Sequence, residues 1–286
     1  MQESGKWTWA KFEEICKKFN SNAPDNFRGP HPLAFFVAYG IMDLPRGGTI
    51  YVKVIFVVPQ VFGWEHILYM LISAAVGAAA LVWLKVLAKH PPKQELLLKI
   101  LAALLLAAIL TNRLSQVFRY GTVRWYCLIP DSFCGMSSLV LALAVLFGKR
   151  DNPVLHFVWL LGLFGGIATV VYPTFVSQDA SFFYIPTISG LLHHSLAAIT
   201  AIAVLLCGWL EITYKKWYCV ILGFTCYLTV GAFLMSVFEM SDAFHIVEPL
   251  LPGTPLTAWV MAPMYLAGHG LIFLIVELFR RNKKSI

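Results

Sequence analysis

Residues 96–117 read LLLKILAALLLAAILTNRLSQV. A run this long and this apolar crosses a bilayer as a helix, because the hydrocarbon core takes about 20 apolar residues at the helical rise. Similar runs lie near 65–87, 133–148, 153–172, 183–210, 216–238 and 257–279. The reading is therefore all-α: a polytopic membrane protein with seven transmembrane helices over residues 63–286, which the chain's composition supports. Of its 286 residues 59% are hydrophobic and 13% charged, and the mean hydropathy is +0.72. A soluble domain carries about 25% charged residues. A barrel would show segments of about 10 residues alternating polar and apolar, and none is present. The net charge of +7 does not point to nucleic acid, because membrane proteins gather cations in cytoplasmic loops.

Residues 1–62 form a separate leader. Trp9, Phe12, Cys16 and Phe19 recur at helical spacing among Lys and Glu, which predicts an amphipathic helix. It lies either on the membrane surface or against the protein's own loops. Asn22–Pro32 is rich in Asn, Pro and Gly and reads as a loop. Leu33–Met42 and Ile50–Val58 are apolar but too short to span, and Pro45-Arg-Gly-Gly48 separates them. They read as re-entrant or surface pieces.

Cations orient the bundle. Lys85, Lys89, Lys93, Lys99, Lys149, Arg150, Lys215, Lys216, Arg280, Arg281, Lys283 and Lys284 all fall at one end. Asp179, Glu239, Asp242 and Glu248 fall at the other. The positive-inside rule then puts the C-terminus in the cytoplasm and the N-terminus outside, in the cell membrane. Arg119 and Arg124 break the pattern, since they sit on the outer side.

The outer half also collects the unusual polar side chains. Glu65 and His66 open the first helix, Arg113 nears the end of the second, and Asp131, Ser132 and Cys134 precede the third. His193 and His194 lie inside the fifth. Ionisable residues within spans are costly and usually face an interior cavity. Adjacent helical residues point about 100° apart, so the pair predicts that only one histidine faces a given cavity. A cysteine with a histidine makes a nucleophile and base, and a thiol beside Arg119 or Arg124 would be activated. Three readings stand for Cys134: a nucleophile served by His194, a disulfide with Cys127, or an inert thiol. A serine version uses Ser132, His194 and Asp131, but no nucleophile elbow surrounds Ser132. A metal held by His66, His194 and Asp131 would have a loose ligand set. No metal or other cofactor is called for. His269, flanked by Gly268 and Gly270, and the glycines at 162, 165 and 166 read as close-packing positions.

These residues resemble a known family. Trp64-Glu-His66, Asn112-Arg113, Ile129–Cys134, Leu161–Gly166, Tyr172-Pro173 and Leu192-His-His194 are similar to motifs of the YwaF-like bacterial integral membrane family, over roughly residues 60–282. Its eukaryotic relatives are described as multi-pass phospholipid acyltransferases with a cysteine before the third helix and a histidine in a later one. The resemblance implies Cys134 and His194 as the catalytic pair and membrane phospholipid as the partner. Arg113, Arg119 and Arg124 would hold a lipid phosphate, with His66, Asp131, Ser132 and His193 around the substrate. Ser132 departs from the family, which usually has histidine there. Two other classes remain alongside acyl transfer: a transporter or lipid-binding protein without covalent chemistry, and a partner subunit that docks through its leader.

Overall fold

The computed structural model describes residues 36–43, 49–56, 62–118, 123–173, 176, 182–251 and 253–284. The chain divides into two compact units, one of residues 1–60 with 178–180 and one of 61–177 with 181–286. The predicted amphipathic helix of the leader lies outside the described residues. The leader's two apolar pieces are strands β1 (Phe36–Asp43) and β2 (Thr49–Phe56). They pair antiparallel, with Phe36 opposite Phe56 and Asp43 opposite Thr49. Thr, Val, Ile, Tyr and Phe dominate β2, and such residues fit a pleated ladder better than a helix.

The second unit is all-helical: α1 (Trp64–Val86), α2 (Pro91–Val117), α3 (Phe133–Leu146), α4 (Pro153–Val171), α5 (Ile185–Leu206), α6 (Tyr218–Val237) and α7 (Ala258–Lys284). All but α3 are long and apolar enough to cross a membrane, so this is a multi-pass membrane protein. Helix α2 begins five residues before the apolar run that announces it. Pro91 and Pro92 occupy its first turn, where a missing N–H costs nothing. Helix α5 stops earlier than expected because Gly208 takes a left-handed conformation (φ 62°) just beyond it.

Helix α5 is the centre of the bundle. Two-thirds (67%) of its apolar window is buried, against 11% for α1 and 6% for the span in α7. Helices α1, α2, α3 and α4 pack on it, α6 packs on α4, and α7 packs on α6. Glycines set the closest approach. A Cβ on Gly166 would lie 2.5 Å from the His194 carbonyl oxygen, and one on Gly162 3.1 Å from a Leu141 methyl. In lipid no hydrophobic force drives helices together, so small residues that bring backbones into contact matter more. The glycines around His269 do not act this way. Nothing described lies within 4 Å of a Cβ on Gly268 or Gly270. His269 itself is buried between Tyr265 and Trp159.

Side-chain pairs tie both ends of the bundle. At one end Glu95 accepts from Lys99 (2.9 Å) and from Arg150 (3.2 Å), and Arg280 reaches Glu211 (3.0 Å). Asp151, in the link after α3, has a left-handed backbone (φ 55°) that Asp tolerates better than most residues. Its carboxylate accepts from Lys216, from the Glu211 N–H and from the buried His156 ring. At the other end Arg113 donates to Asp131 (3.0 Å). Short as it is, α3 therefore lies in a segment tied to α2 near both ends. Eighteen residues separate Glu95 from Arg113, about 27 Å of helix. Exposed aromatic residues gather near the same two levels: Phe62, Trp64, Phe118, Trp125 and Phe183 at one, Trp83, Phe147 and Trp217 at the other. Trp64 and Trp83 are about 28 Å apart along α1, close to the thickness of a hydrocarbon core.

Two outcomes follow. Gly166→Ala should lower the unfolding temperature in detergent, because overpacking costs about 1–3 kcal/mol. Gly268→Ala, with open space around it, should leave that temperature unchanged or raise it, since Ala is a better helix former. An equal effect of the two would contradict the α4–α5 contact. Burial pulls the Asp151 carboxyl up, but the bonds from Lys216, Glu211 N–H and His156 outweigh it and hold the group below the ordinary carboxylate range. A depressed folded value gives stability that is present above the unfolded value of about 3.9 and lost as pH falls through the folded one. Asp151→Asn should thus be less stable than the parent at pH 7, and the gap should begin to narrow below about pH 4 and close only once the folded carboxyl is protonated. A gap that persists unchanged in acid would show that the charge of Asp151 contributes nothing.

Candidate functional site

A polar cavity of about 80 Å³ opens at the end of the bundle that carries Arg113. Helix α2 contributes Ile109, Asn112, Arg113 and Gln116, which share one face at spacings of three and four residues. Helix α5 contributes Gly190, His193 and His194 at the same spacing. Ser132 and Gly135 close it at the start of α3, and Val176 from the link after α4. The space suits a few waters or one small polar group, since a water takes about 30 Å³ in the liquid. A whole lipid does not fit.

Both histidines line the cavity, which corrects the expectation that only one would. Their rings are tilted by 33° with centroids 4.2 Å apart, and the cavity spans enough of the α5 surface to meet both directions. The His193 Nδ1 lies 3.2 Å from the Ser138 hydroxyl of α3. The His194 ring makes no hydrogen bond among the described residues; its Nδ1 is buried without a partner, and 8% of the residue is exposed. Asn112, which sequence reasoning used only as a family motif, belongs to the wall. Its amide donates to the Pro186 carbonyl (3.0 Å) and the Ser189 hydroxyl (3.2 Å) of α5. Gln116, Ser138 and Gly190 were not singled out either. The available signal was the row Asn112, Arg113 and Gln116 on one face of an otherwise apolar helix.

Arg113 is mostly buried and gives one N–H to Asp131, while its Nε is buried without a partner. The Asp131 carbonyl also accepts the Phe244 N–H at 2.7 Å, which anchors the α6–α7 connection there. The Ser132 hydroxyl accepts from the Gly135 N–H (3.2 Å) and so caps α3. Among the described residues it makes no hydrogen bond to His194.

The remaining candidates lie elsewhere. The Cys134 thiol rests against α4, 2.7 Å from where a Cβ on Gly165 would be, and it is not part of the cavity wall. No hydrogen bond joins it to His194. The thiol whose electrostatics Arg113, Arg124 and Asp131 influence is Cys127 instead. Burial raises the Cys127 pKa, opposed by Arg113 and Arg124 and reinforced by Asp131. Both cysteines are free thiols, so no Cys127–Cys134 disulfide exists in the structure. His66 pins helices together. Its Nδ1 accepts the Phe62 N–H (3.1 Å), and its Nε2–H donates to the Val170 carbonyl (2.8 Å) of α4. Arg124 precedes the short 3-10 helix Trp125–Leu128, and its N–H donates to the Val117 carbonyl. Arg119 lies outside the described residues. Among the described residues no three His, Cys, Asp or Glu side chains are grouped to hold a metal, and His66, His194 and Asp131 are not assembled as one set.

The profile of the TMEM164 family matches residues 61–279, a stretch that contains every wall of this cavity. No curated protein and no solved structure matches the chain.

Proposed function

The chain belongs to the TMEM164 family, and on that footing we propose that it transfers acyl chains between membrane lipids at the Arg113–His194 cavity. The observation that carries this reading is His194, a buried histidine with an unpartnered nitrogen on the wall of a small polar cavity. Cys134 is one residue from the cavity-lining Gly135, and it contacts Gly165 while the His194 backbone contacts Gly166. The chemistry requires the thiol to turn from Gly165 toward the cavity.

In this reading His194 takes the proton of the Cys134 thiol, and the thiolate attacks the ester carbonyl of a phospholipid. The C–O bond breaks, the lysolipid oxygen takes the proton back from His194, and the acyl group remains as a thioester. The hydroxyl of a second lysolipid then gives its proton to His194 and attacks the thioester, which returns the thiol. Arg113 and Arg124, with Arg119, hold the lipid phosphate, a task suited to guanidinium geometry. Asp131 steadies Arg113, Ser132 caps the helix that bears Cys134, and His193 backs His194. His66 contributes by fixing α1 against α4.

We also infer that all seven helices cross the membrane. The segment from Asp131 to Arg150 is tied near both ends of α2, and this supports a full crossing by α3 despite its 14 helical residues. Orientation follows from charge, with Lys85, Lys89, Lys93, Lys149, Lys215 and Arg280 at the end read as cytoplasmic. The protein then lies in the cell membrane with its C-terminus inside and its N-terminus outside.

One observation favours a second reading, lipid or solute binding without covalent chemistry: the Cys134 thiol sits on Gly165 and does not line the cavity. Acyl exchange between labelled phospholipid and lysophospholipid separates the two. Cys134→Ala and His194→Ala should each lower it by about 100-fold or more, the scale of a lost nucleophile or general base, while both still bind lipid. Unchanged exchange in both variants would remove the covalent reading and leave the binding one. For orientation and for the crossing of α3, a membrane-impermeant maleimide on intact cells, applied to a chain whose native cysteines are replaced, should label Val123→Cys and spare Lys149→Cys, which flank α3. Labelling of both, or of neither, would refute the seven crossings.

A further inference from the structure

The second notable cavity lies at the opposite, basic end, on the lipid-facing side of the bundle. It encloses about 400 Å³ between the first two turns of α2 and the link after α3, lined by Pro91, Pro92, Glu95, Leu96, Lys99 and Arg150. Acyl transfer makes no use of it. We propose that this groove binds the headgroup of an anionic phospholipid from the leaflet at that end.

Charge supports this first. Glu95 accepts one bond from Lys99 and one from Arg150, so the three groups carry a net positive charge. An ammonium has three donors and a guanidinium five, so both cations keep N–H groups free for a phosphate. They also stay open to it, with 40% and 51% of their side chains exposed. Glu95 holds the two cations in place, and the Trp209 ring lies 5.7 Å from the Arg150 guanidinium on another side. Lys93 and Lys149 stand nearby in sequence and have no carboxylate partner among the described residues. No carboxylate other than Glu95 lines the groove.

Shape supports it second. Leu96, Ile100 and Leu104 follow one another at four-residue spacing down α2, and each is exposed (60%, 46% and 51%). This apolar stripe runs from the groove toward the middle of the span. A phosphate at Lys99 and Arg150 would leave its acyl chains lying along it. Lys99 sits two turns inside α2, the depth from which a lysine reaches the headgroup layer with its stem in apolar surroundings. Arginine and lysine at a helix end beside an apolar stripe match the chemistry of a lipid phosphate. A soluble phosphate would use the cations and leave the stripe unused.

The proposal depends neither on acyl transfer nor on which side of the membrane this end faces. Native mass spectrometry of the purified full chain would test it, with phosphatidylglycerol and phosphatidylcholine supplied at equal concentration. The parent should retain phosphatidylglycerol at least fivefold more than phosphatidylcholine. The K99A/R150A double variant should lose that preference, and Lys215→Ala, a cation of the same end outside the groove, should keep it. Equal retention of the two lipids by the parent would overturn the proposal. So would a preference that survives in K99A/R150A, which would mark a diffuse charge effect. Displacement of phosphatidylglycerol by inorganic phosphate at matched concentration would overturn the lipid assignment in favour of a free-anion site. Should the double variant fail to fold, a photoactivatable phosphatidylglycerol on the parent decides the matter. Adducts should concentrate in peptides covering 91–104 and 149–155, and an even spread over the helices would count against the site.

Discussion

The architecture depends on the contact of α4 with α5 through Gly162 and Gly166. A membrane removes the hydrophobic drive between helices, so association rests on packing and on polar groups that find partners. Glycine lets the two backbones meet, and the contact point on α5 is the carbonyl of His194. The position of that residue is therefore set by the main chain and not by its own side chain. With α5 held by α4 on one flank, Asn112 of α2 holds it on another through Pro186 and Ser189. Helix α1 adds a third tie, where the Tyr69 hydroxyl meets that of Ser195 at 2.8 Å. The cavity is the gap left among elements placed by these contacts. That is why a polar space persists where lipid would otherwise favour close apolar packing.

Most of the helices were legible because an apolar run of 20 residues has few other uses. Their ends were less so, and the reasons differ. The start of α2 was hidden because Pro91–Glu95 is polar and helical at once, and hydropathy sees only the first property. The leader's strands were partly visible as short apolar pieces, but pairing of β1 with β2 is a relation between segments that no single run displays. At the site, Arg113, Ser132, His193 and His194 were legible as polar residues in apolar surroundings, and all four line the cavity. His66 looked the same in sequence and is fully used by Phe62 and Val170. Composition marks a buried polar residue, but only geometry tells whether its donors and acceptors are already spent. Cys134 illustrates the same limit, since one step of about 100° around α3 separates the cavity wall at Gly135 from the packed thiol.

The two ends of the bundle handle charge in opposite ways. At the basic end each of the carboxylates Glu95, Asp151 and Glu211 holds a cation, so cations are positioned and several remain in excess. At the cavity end Arg113 faces Asp131, and the pair nearly cancels. The basic end thus presents fixed positive charge to a leaflet surface. The cavity wall itself presents hydrogen-bonding groups with little net charge, a setting that tolerates an uncharged ester or hydroxyl.

Asp131 joins the cavity to the rest of its end. Its side chain holds Arg113, and its carbonyl takes the Phe244 N–H. Phe244 and His245 are consecutive left-handed residues, with φ of 55° at each, in a connection without glycine at either place. A bulky residue held there costs about 1–3 kcal/mol. What offsets the cost is burial: the Phe244 ring is 1% exposed and packs at 5.5 Å from Phe133 and 5.4 Å from Tyr227. Phe133 is the first residue of α3, next to Ser132 on the cavity wall. The connection between α6 and α7 therefore reaches the cavity twice, through the backbone of Asp131 and through the ring of Phe133. Any displacement of that connection must move Arg113, Ser132 or both. The strained segment and the polar wall are one mechanical unit, although more than a hundred residues separate Asp131 from Phe244 in sequence.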